Sequence, residues 1–331
     1  MNTKKIMFLL FLIIVLSSTI FSLGNQEGDE NVIEVAFSFG AEWLEVYQAM
    51  EDMALKAADE SGRNINFQFW YADGNLDKEA SNIRKAIAAE PDIMVLMPIS
   101  ASSILHHIEG IHRKNIPVIV YNRQQESHLT IKPEAFIGLD TYNQALTTAT
   151  GLFKLMSEDN IQAKTVVILG DLHDRNALNR REGFRKAAEE FDVEIIEEIE
   201  SYWDSDKAVL GLSAVFDKYP EINSILLSSD FMITDIKKLL SSRNKWAPYG
   251  EKNHIYLGGQ DIFSEAIPLI RDGYIDVDTA FDIWPMSTTL VQIINTLANK
   301  QKPAQNVFLI PGRIVTRRNI DSIKDLWSTE N

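Results

Sequence analysis

The chain contains no cysteine. It therefore holds no disulfide, no thiolate metal site and no lipid-bearing cysteine after an export signal. Positive charge is also scarce. Lys and Arg number 32 against 47 Asp and Glu, a formal net charge of −15. Nucleic-acid binding needs a basic face, so that class of partner is excluded. The strong catalytic signatures are missing as well: there is no Gly-x-Ser-x-Gly elbow, no Walker loop and no His-Glu-x-x-His. Among the six histidines, His106, His107 and His112 share one expected helix, but their spacing does not bring all three to one face. No metal, no cofactor and no enzymatic activity are expected.

What is present describes a globular protein of two-domain size: 331 residues, 45% apolar and 24% charged. The start of the chain is distinct. Lys4 and Lys5 precede the apolar run Ile6 to Leu16, and Ser17, Ser18, Thr19, Ser22 and Gly24 follow. A basic start, an apolar centre and small residues read as a secretory signal over 1–24, cleaved after Gly24, with a polar leader over 25–31. The alternative is an uncleaved anchor, since 6–23 is borderline for a membrane span. In either case the expected location is the periplasm or the outer face of the membrane, and cleavage would leave a formal charge of −17.

From Val32 onward, short β-branched runs alternate with helical patterns in units of about 25–30 residues. The organising stretch is Ile116 to Gln124. Val118, Ile119 and Val120 follow a proline and read as a parallel strand buried on both faces. Asn122 and Arg123 then fall just past its carboxyl end, where open α/β sheets bind ligands. A second βα series starts near Ala135, so two doubly wound parallel-sheet lobes are expected, with a cleft between them suited to a small ligand. Polar residues recur after expected strands: Ser38 and Phe39, Asp140, His173 and Asp174, Ser229 and Asp230, Gln260 and Asp261, and Asp282. Each alone is a cap or turn residue. Together they line the sheet edges with the donors and acceptors that a polyol needs. Phe37, Phe39, Trp43, Tyr202, Trp203, Phe281 and Trp284 are candidates for an aromatic face against its C–H groups.

The order of Asp73-Gly74-Asn75, Ile116 to Arg123, Gly138-Leu139-Asp140, Arg180 to Phe184, Ser228-Ser229-Asp230 and Gly258 to Asp261 resembles the sugar-binding proteins of bacterial ABC importers. The ribose- and xylose-binding group with the type I periplasmic binding protein fold is most similar. The resemblance runs from about Ile33 to Val315. It implies two lobes joined by a three-crossing hinge, with crossings near Asp140, Asp282 and Ile310. The N-terminal lobe is then 32–139 with 283–309, and the C-terminal lobe 140–282 with 310–331. Carried over residue by residue, Arg123 donates to sugar hydroxyls and Asn122 takes the usual aspartate position beside it. Trp43 lies near a first-loop aromatic or arginine, and the loop before the Arg180 helix supplies Asn176. Arg180 (or Arg181) and Asp261 match the second-lobe arginine and aspartate. Ser229 stands where asparagine is common, and Asp282 where glutamine or lysine is common. With Phe39 and Asp140, these form the expected ligand set. The departures at 122, 229 and 282 leave a hexose, a cyclitol, an amino sugar or a furanose open in place of a pentose. The implied role is capture of a monosaccharide or related polyol by a monomer that delivers it to an ABC permease. Presentation of the sugar to a membrane histidine kinase or chemoreceptor is the alternative.

Overall fold

The computed structural model describes residues 32–40, 45–99, 104–123, 130–323 and 325–329. The expected signal, the leader and Trp43 lie outside the described residues.

The first lobe is built from β1 (Ile33–Phe39), α1 (Glu45–Glu60), β2 (Ile65–Tyr71), α2 (Leu76–Ala88), β3 (Ile93–Met97), α3 (Ile104–His112), β4 (Val118–Tyr121) and β5 (Ala135–Leu139). The second begins with α4 (Thr141–Glu158), β6 (Lys164–Leu169), α5 (Arg175–Glu190), β7 (Glu194–Glu200) and α6 (Ser205–Lys218). It continues through β8 (Ser224–Leu227), α7 (Ile233–Ser242), β9 (Tyr256–Gly258), α8 (Ala266–Arg271) and β10 (Asp278–Thr279). The chain then returns through α9 (Ile283–Ala298), β11 (Val307–Ile310) and β12 (Ile314–Val315).

One sheet has the order β11-β5-β4-β3-β1-β2 and the other β7-β6-β8-β9. Every pairing within them is parallel. Side-chain alternation along each strand explains the layering. Val35, Phe37 and Phe39 pack with Ile93, Val95, Ile119 and Tyr121 under α1 and α9. Ala36, Met94, Leu96, Val118 and Val120 face the opposite way, onto α2 and α3. Because both faces are covered, the strands read as continuous apolar runs. In the second sheet Val166, Ile168 and Ile225 join one core, and Val167, Leu169 and Leu226 the other. Each such side chain contributes about 1.5–3 kcal/mol on burial, so strand register is tightly specified.

The chain passes between the two sheets three times. After β5, Asp140 N–H donates to Ile310 C=O at 2.9 Å, and α4 packs on α5. After β10, α9 comes back to pack on α1. After β11, which lies parallel to β5, β12 pairs antiparallel with β10. The doubly wound two-sheet expectation is met. β11 has no counterpart in the sequence reading. β10 is only two residues long, Asp278–Thr279, because Asp276 turns its carboxylate to Leu257 N–H at 2.8 Å and Ala280 N–H goes to Arg313 C=O at 2.8 Å.

Candidate ligand-binding site

The carboxyl ends of the two sheets face each other across a cavity of about 520 Å³, within the range of small-molecule sites. From the first lobe come Tyr47, Met50, Asn122 and Arg123, and from the second Asp174, Asn176, Arg180, Trp203, Ser229 and Asp261. Phe231, Phe263 and Phe281 complete the walls.

Asn122 sits at φ +62°, a left-handed conformation that Asn tolerates better than most residues. Its N–H is held by Ile137 C=O at 2.8 Å. Arg123 follows, with Nη1 donating to Ile99 C=O. Both residues meet the other lobe. Asn176 Nδ2 donates to Asn122 C=O and Oδ1 at 3.3 and 3.4 Å, and Arg123 Nε lies 3.7 Å from Asp174 Oδ2. A third cross-lobe contact joins Ser264, through its N–H and hydroxyl, to Glu45 Oε1 at 3.2 and 3.1 Å. The lobes are closed on one another.

Asp174 also caps α5, its Oδ1 accepting from Asn176 N–H at 2.9 Å. The helix therefore starts at Arg175, earlier than the periodicity from Arg180 indicates, and Asn176 projects from its first turn. Arg180 is only 4% exposed, and all five of its N–H donors are occupied. Nε and Nη2 donate to Gln144 Oε1 at 3.2 and 2.9 Å. Nη1 donates to Ser228 C=O at 2.5 Å and Asp261 Oδ2 at 3.3 Å, and Nη2 to Asp261 Oδ1 at 2.5 Å. Arg180 thus lines the cavity while its guanidinium also holds Asp261 in place. Arg181 is bound to Glu198 at 2.9 Å, away from the cavity.

Three expected residues fall elsewhere. Phe39 is fully buried in the first core, stacked on Phe37 and Tyr71 with ring centroids 4.3 and 5.2 Å apart. Strand alternation turns it under α1. Asp140 caps α4, accepting from Asn143 N–H at 3.1 Å and Asn143 Nδ2 at 2.6 Å. Asp282 is bound by Arg313 through Nε at 2.8 Å, Nη2 at 2.5 Å and the backbone N–H at 3.1 Å. Its charge is spent between the second and third crossings, so it adds no carboxylate to the cavity.

Sequence reasoning missed Tyr47, Phe231 and Phe263 as cavity residues, and Gln144 as the partner of Arg180. Burial pushes the Tyr47 phenol above its ordinary pKa, opposed by Arg123, so it stays a neutral donor and acceptor at neutral pH. Tyr202 and Trp203, at φ +57° and +59°, turn the chain after β7 and lay the Trp203 ring over Gly170. A side chain at 170 would collide with that ring. Trp203 Nε1 is buried with no hydrogen-bond partner among the described residues. Of the aromatic candidates, Tyr202, Trp203 and Phe281 line the cavity, whereas Trp284 lies beside Lys56, 4.9 Å from its ring centroid.

The model of the periplasmic binding protein domain matches residues 35–302. This chain belongs to the periplasmic binding protein family. Its members bind solutes and are not enzymes. The binding protein is 20% identical over 275 residues to a Rhizobium meliloti protein assigned to rhizopine binding, covering 82% of this chain and 84% of that one. It is also 20% identical to the D-xylose-binding periplasmic protein of Escherichia coli, over 296 residues and 85% of each chain. An ABC-transporter solute-binding protein from Actinobacillus succinogenes, solved with D-allose, superposes with a TM-score of 0.77 at 16% identity. That match covers 88% of this chain and 99% of the other. The type I fold of the binding protein follows.

Behind the cavity wall, the binding protein holds a pair of buried acids. Asp230 and Asp278 are both fully buried. Phe263 N–H donates to Asp230 Oδ1 at 3.1 Å and Thr279 N–H to Asp278 Oδ1 at 2.7 Å. Burial pushes both carboxyls well above the usual carboxylate range, and each also feels the negative charge of Asp261. Two adjacent acids in a dry site share a proton more readily than they carry two charges.

Proposed function

We propose that this protein captures a monosaccharide or related polyol between its lobes, outside the cytoplasmic membrane, and delivers it as a monomer to an ABC permease. The observation that carries this reading is the cavity: one wall offers Asn122 and Arg123, and the facing wall offers Asp174, Asn176, Ser229 and Asp261. Hydroxyls both donate and accept, so a ligand rich in them satisfies amide, guanidinium and carboxylate groups together. Tyr47, Trp203 and the phenylalanines supply apolar faces for its C–H groups. Trp203 Nε1, without a hydrogen-bond partner among the described residues, adds a donor whose desolvation a ligand acceptor would offset. The hydroxyl-rich ligands named for its relatives, D-xylose and D-allose, support the class.

In this reading, residues 32–139 with 283–309 and residues 140–282 with 310–331 are the two bodies that close. Cross-lobe contacts from Glu45, Asn122 and Arg123 stabilise the closed form a permease would receive. Isothermal titration of residues 25–331 with D-xylose, D-allose, myo-inositol and glucosamine tests this. Binding of one of them, weakened at least tenfold by Arg123→Ala, is expected. Absence of binding across a broad polyol panel would refute it.

A further inference from the structure

The first lobe contains a buried carboxylate that the cavity does not touch. Glu79 lies in α2 and is 1% exposed. A buried acid is costly unless it is hydrogen-bonded to something that needs it. Glu79 Oε1 accepts from Ile99 N–H at 2.8 Å, and its Oε2 lies 3.3 Å from His107 Nε2. The end of β1 closes over the same spot. Gly40 N–H donates to Met97 C=O at 2.7 Å, and a Cβ on Gly40 would overlap both Glu79 Oε1 and the Ile99 nitrogen. The carboxylate therefore pins the chain where it leaves β3. The next polar group of that residue, the Ile99 carbonyl, receives Arg123 Nη1.

Resting on the polyol reading above, we propose that Glu79 is a positioning residue for Arg123, acting through Ile99. The order of action is short: Glu79 fixes the Ile99 amide, the Ile99 carbonyl fixes one arm of the guanidinium, and Arg123 presents its other donors to the cavity and to Asp174. An arginine fixed before the ligand arrives loses less side-chain freedom on binding. The arrangement also explains why a glutamate is buried in α2, where an apolar residue would pack more cheaply. The Ile99 N–H would otherwise lose its acceptor.

The test uses residues 25–331 with Glu79→Ala, Glu79→Asp and Glu79→Gln, each alone and with Arg123→Ala. The first readout needs no ligand: the NMR order parameter of Arg123 Nε–H, with exchange of the Ile99 amide. Glu79→Ala should speed Ile99 exchange at least tenfold and loosen Arg123, leaving the Val95 amide of β3 protected. Glu79→Asp, which retracts the oxygens by one methylene, should do the same if the alanine variant folds poorly. Glu79→Gln keeps an oxygen on Ile99 and should restore both signals. An Arg123 as ordered in Glu79→Ala as in the parent overturns the proposal, whatever ligand the protein takes. The second readout is affinity for the polyol that the parent binds. Glu79→Ala should weaken it about tenfold, or about 1.4 kcal/mol, and should cost nothing further once Arg123 is alanine. Additive losses would show that Glu79 acts elsewhere. If no polyol binds the parent, the polyol reading fails and the Nε signal still decides the role of Glu79.

Discussion

Removing Arg313 from the hinge should destabilise the protein in a way that acid reverses. Asp282 is 4% exposed on its side chain, Arg313 is 38% exposed, and Arg313 reaches Asp325 at 2.7 Å as well. An exposed ion pair is worth at most about 1 kcal/mol, whereas stranding a fully buried charge costs about 3–5 kcal/mol. This pair lies between the two limits, because the acid is dry and the base is partly wet. For Arg313→Met at pH 7 we expect a loss of about 2 kcal/mol. At about 2–4 °C per kcal/mol for a unit of this size, the thermal midpoint falls by about 4–8 °C. Burial already pushes the Asp282 carboxyl above its ordinary pKa, with Arg313 as the main opposing influence. Without the arginine the folded pKa rises further, so the folded variant binds a proton more tightly than the unfolded chain. Its deficit should therefore shrink as pH falls through that raised pKa. Asp282→Asn with Arg313→Met, which removes the stranded charge, should recover most of the loss at pH 7. Scanning fluorimetry and urea unfolding from pH 4.5 to 8 read all of this. An Arg313→Met protein within 0.5 kcal/mol of the parent at pH 7 would refute the reasoning.

Three other outcomes follow from the second lobe. Asp278→Asn should stabilise the protein at pH 7, because the folded pKa of Asp278 lies above its unfolded value. Such a group supports folding at low pH and loses that support as pH rises through the folded pKa, so the variant should flatten the pH dependence seen by urea unfolding. His254 has both ring nitrogens on acceptors, Ala247 C=O at 2.8 Å and Asp276 at 3.1 Å, and its pKa is raised on balance: burial opposes the charge most strongly, but the hydrogen bond and charge of Asp276, with Ala247 C=O and Asp159, together outweigh it. Its stabilisation is complete below about pH 6.5, the unfolded value, and is lost as pH rises through the folded pKa. His254→Gln should abolish that slope, and an unchanged slope would place its origin elsewhere. Gly170→Ala should displace the Trp203 ring, lowering the thermal midpoint and weakening polyol binding; near-UV circular dichroism identical to the parent would contradict this.

The sequence makes the alternating sheets legible because strands such as Val118–Tyr121 are buried on both faces and leave an unbroken apolar run. The same strand sets Asn122 and Arg123 at its end, since the position is fixed by the chain alone. What sequence cannot supply is the partner. Arg180 and Asp282 look like free charges until Gln144 and Arg313, 36 and 31 residues away, occupy them. Tyr47 shares the helical stripe of ordinary core residues, and only packing at the lobe boundary exposes it to the cavity. Trp203 depends on two successive left-handed residues, which no period announces. β11 is recognisable only once β5 offers it an edge.

The chain's lack of cysteine makes the most direct test clean. Spin labels on Arg84→Cys in α2 and Asp206→Cys in α6, both exposed, report the distance between lobes by double electron–electron resonance. As the bound polyol is titrated, the distance should shift from a longer to a shorter value. The shift should saturate with the calorimetric affinity and be lost in Arg123→Ala. A polyol that binds tightly and leaves the distance unchanged would contradict capture between closing lobes.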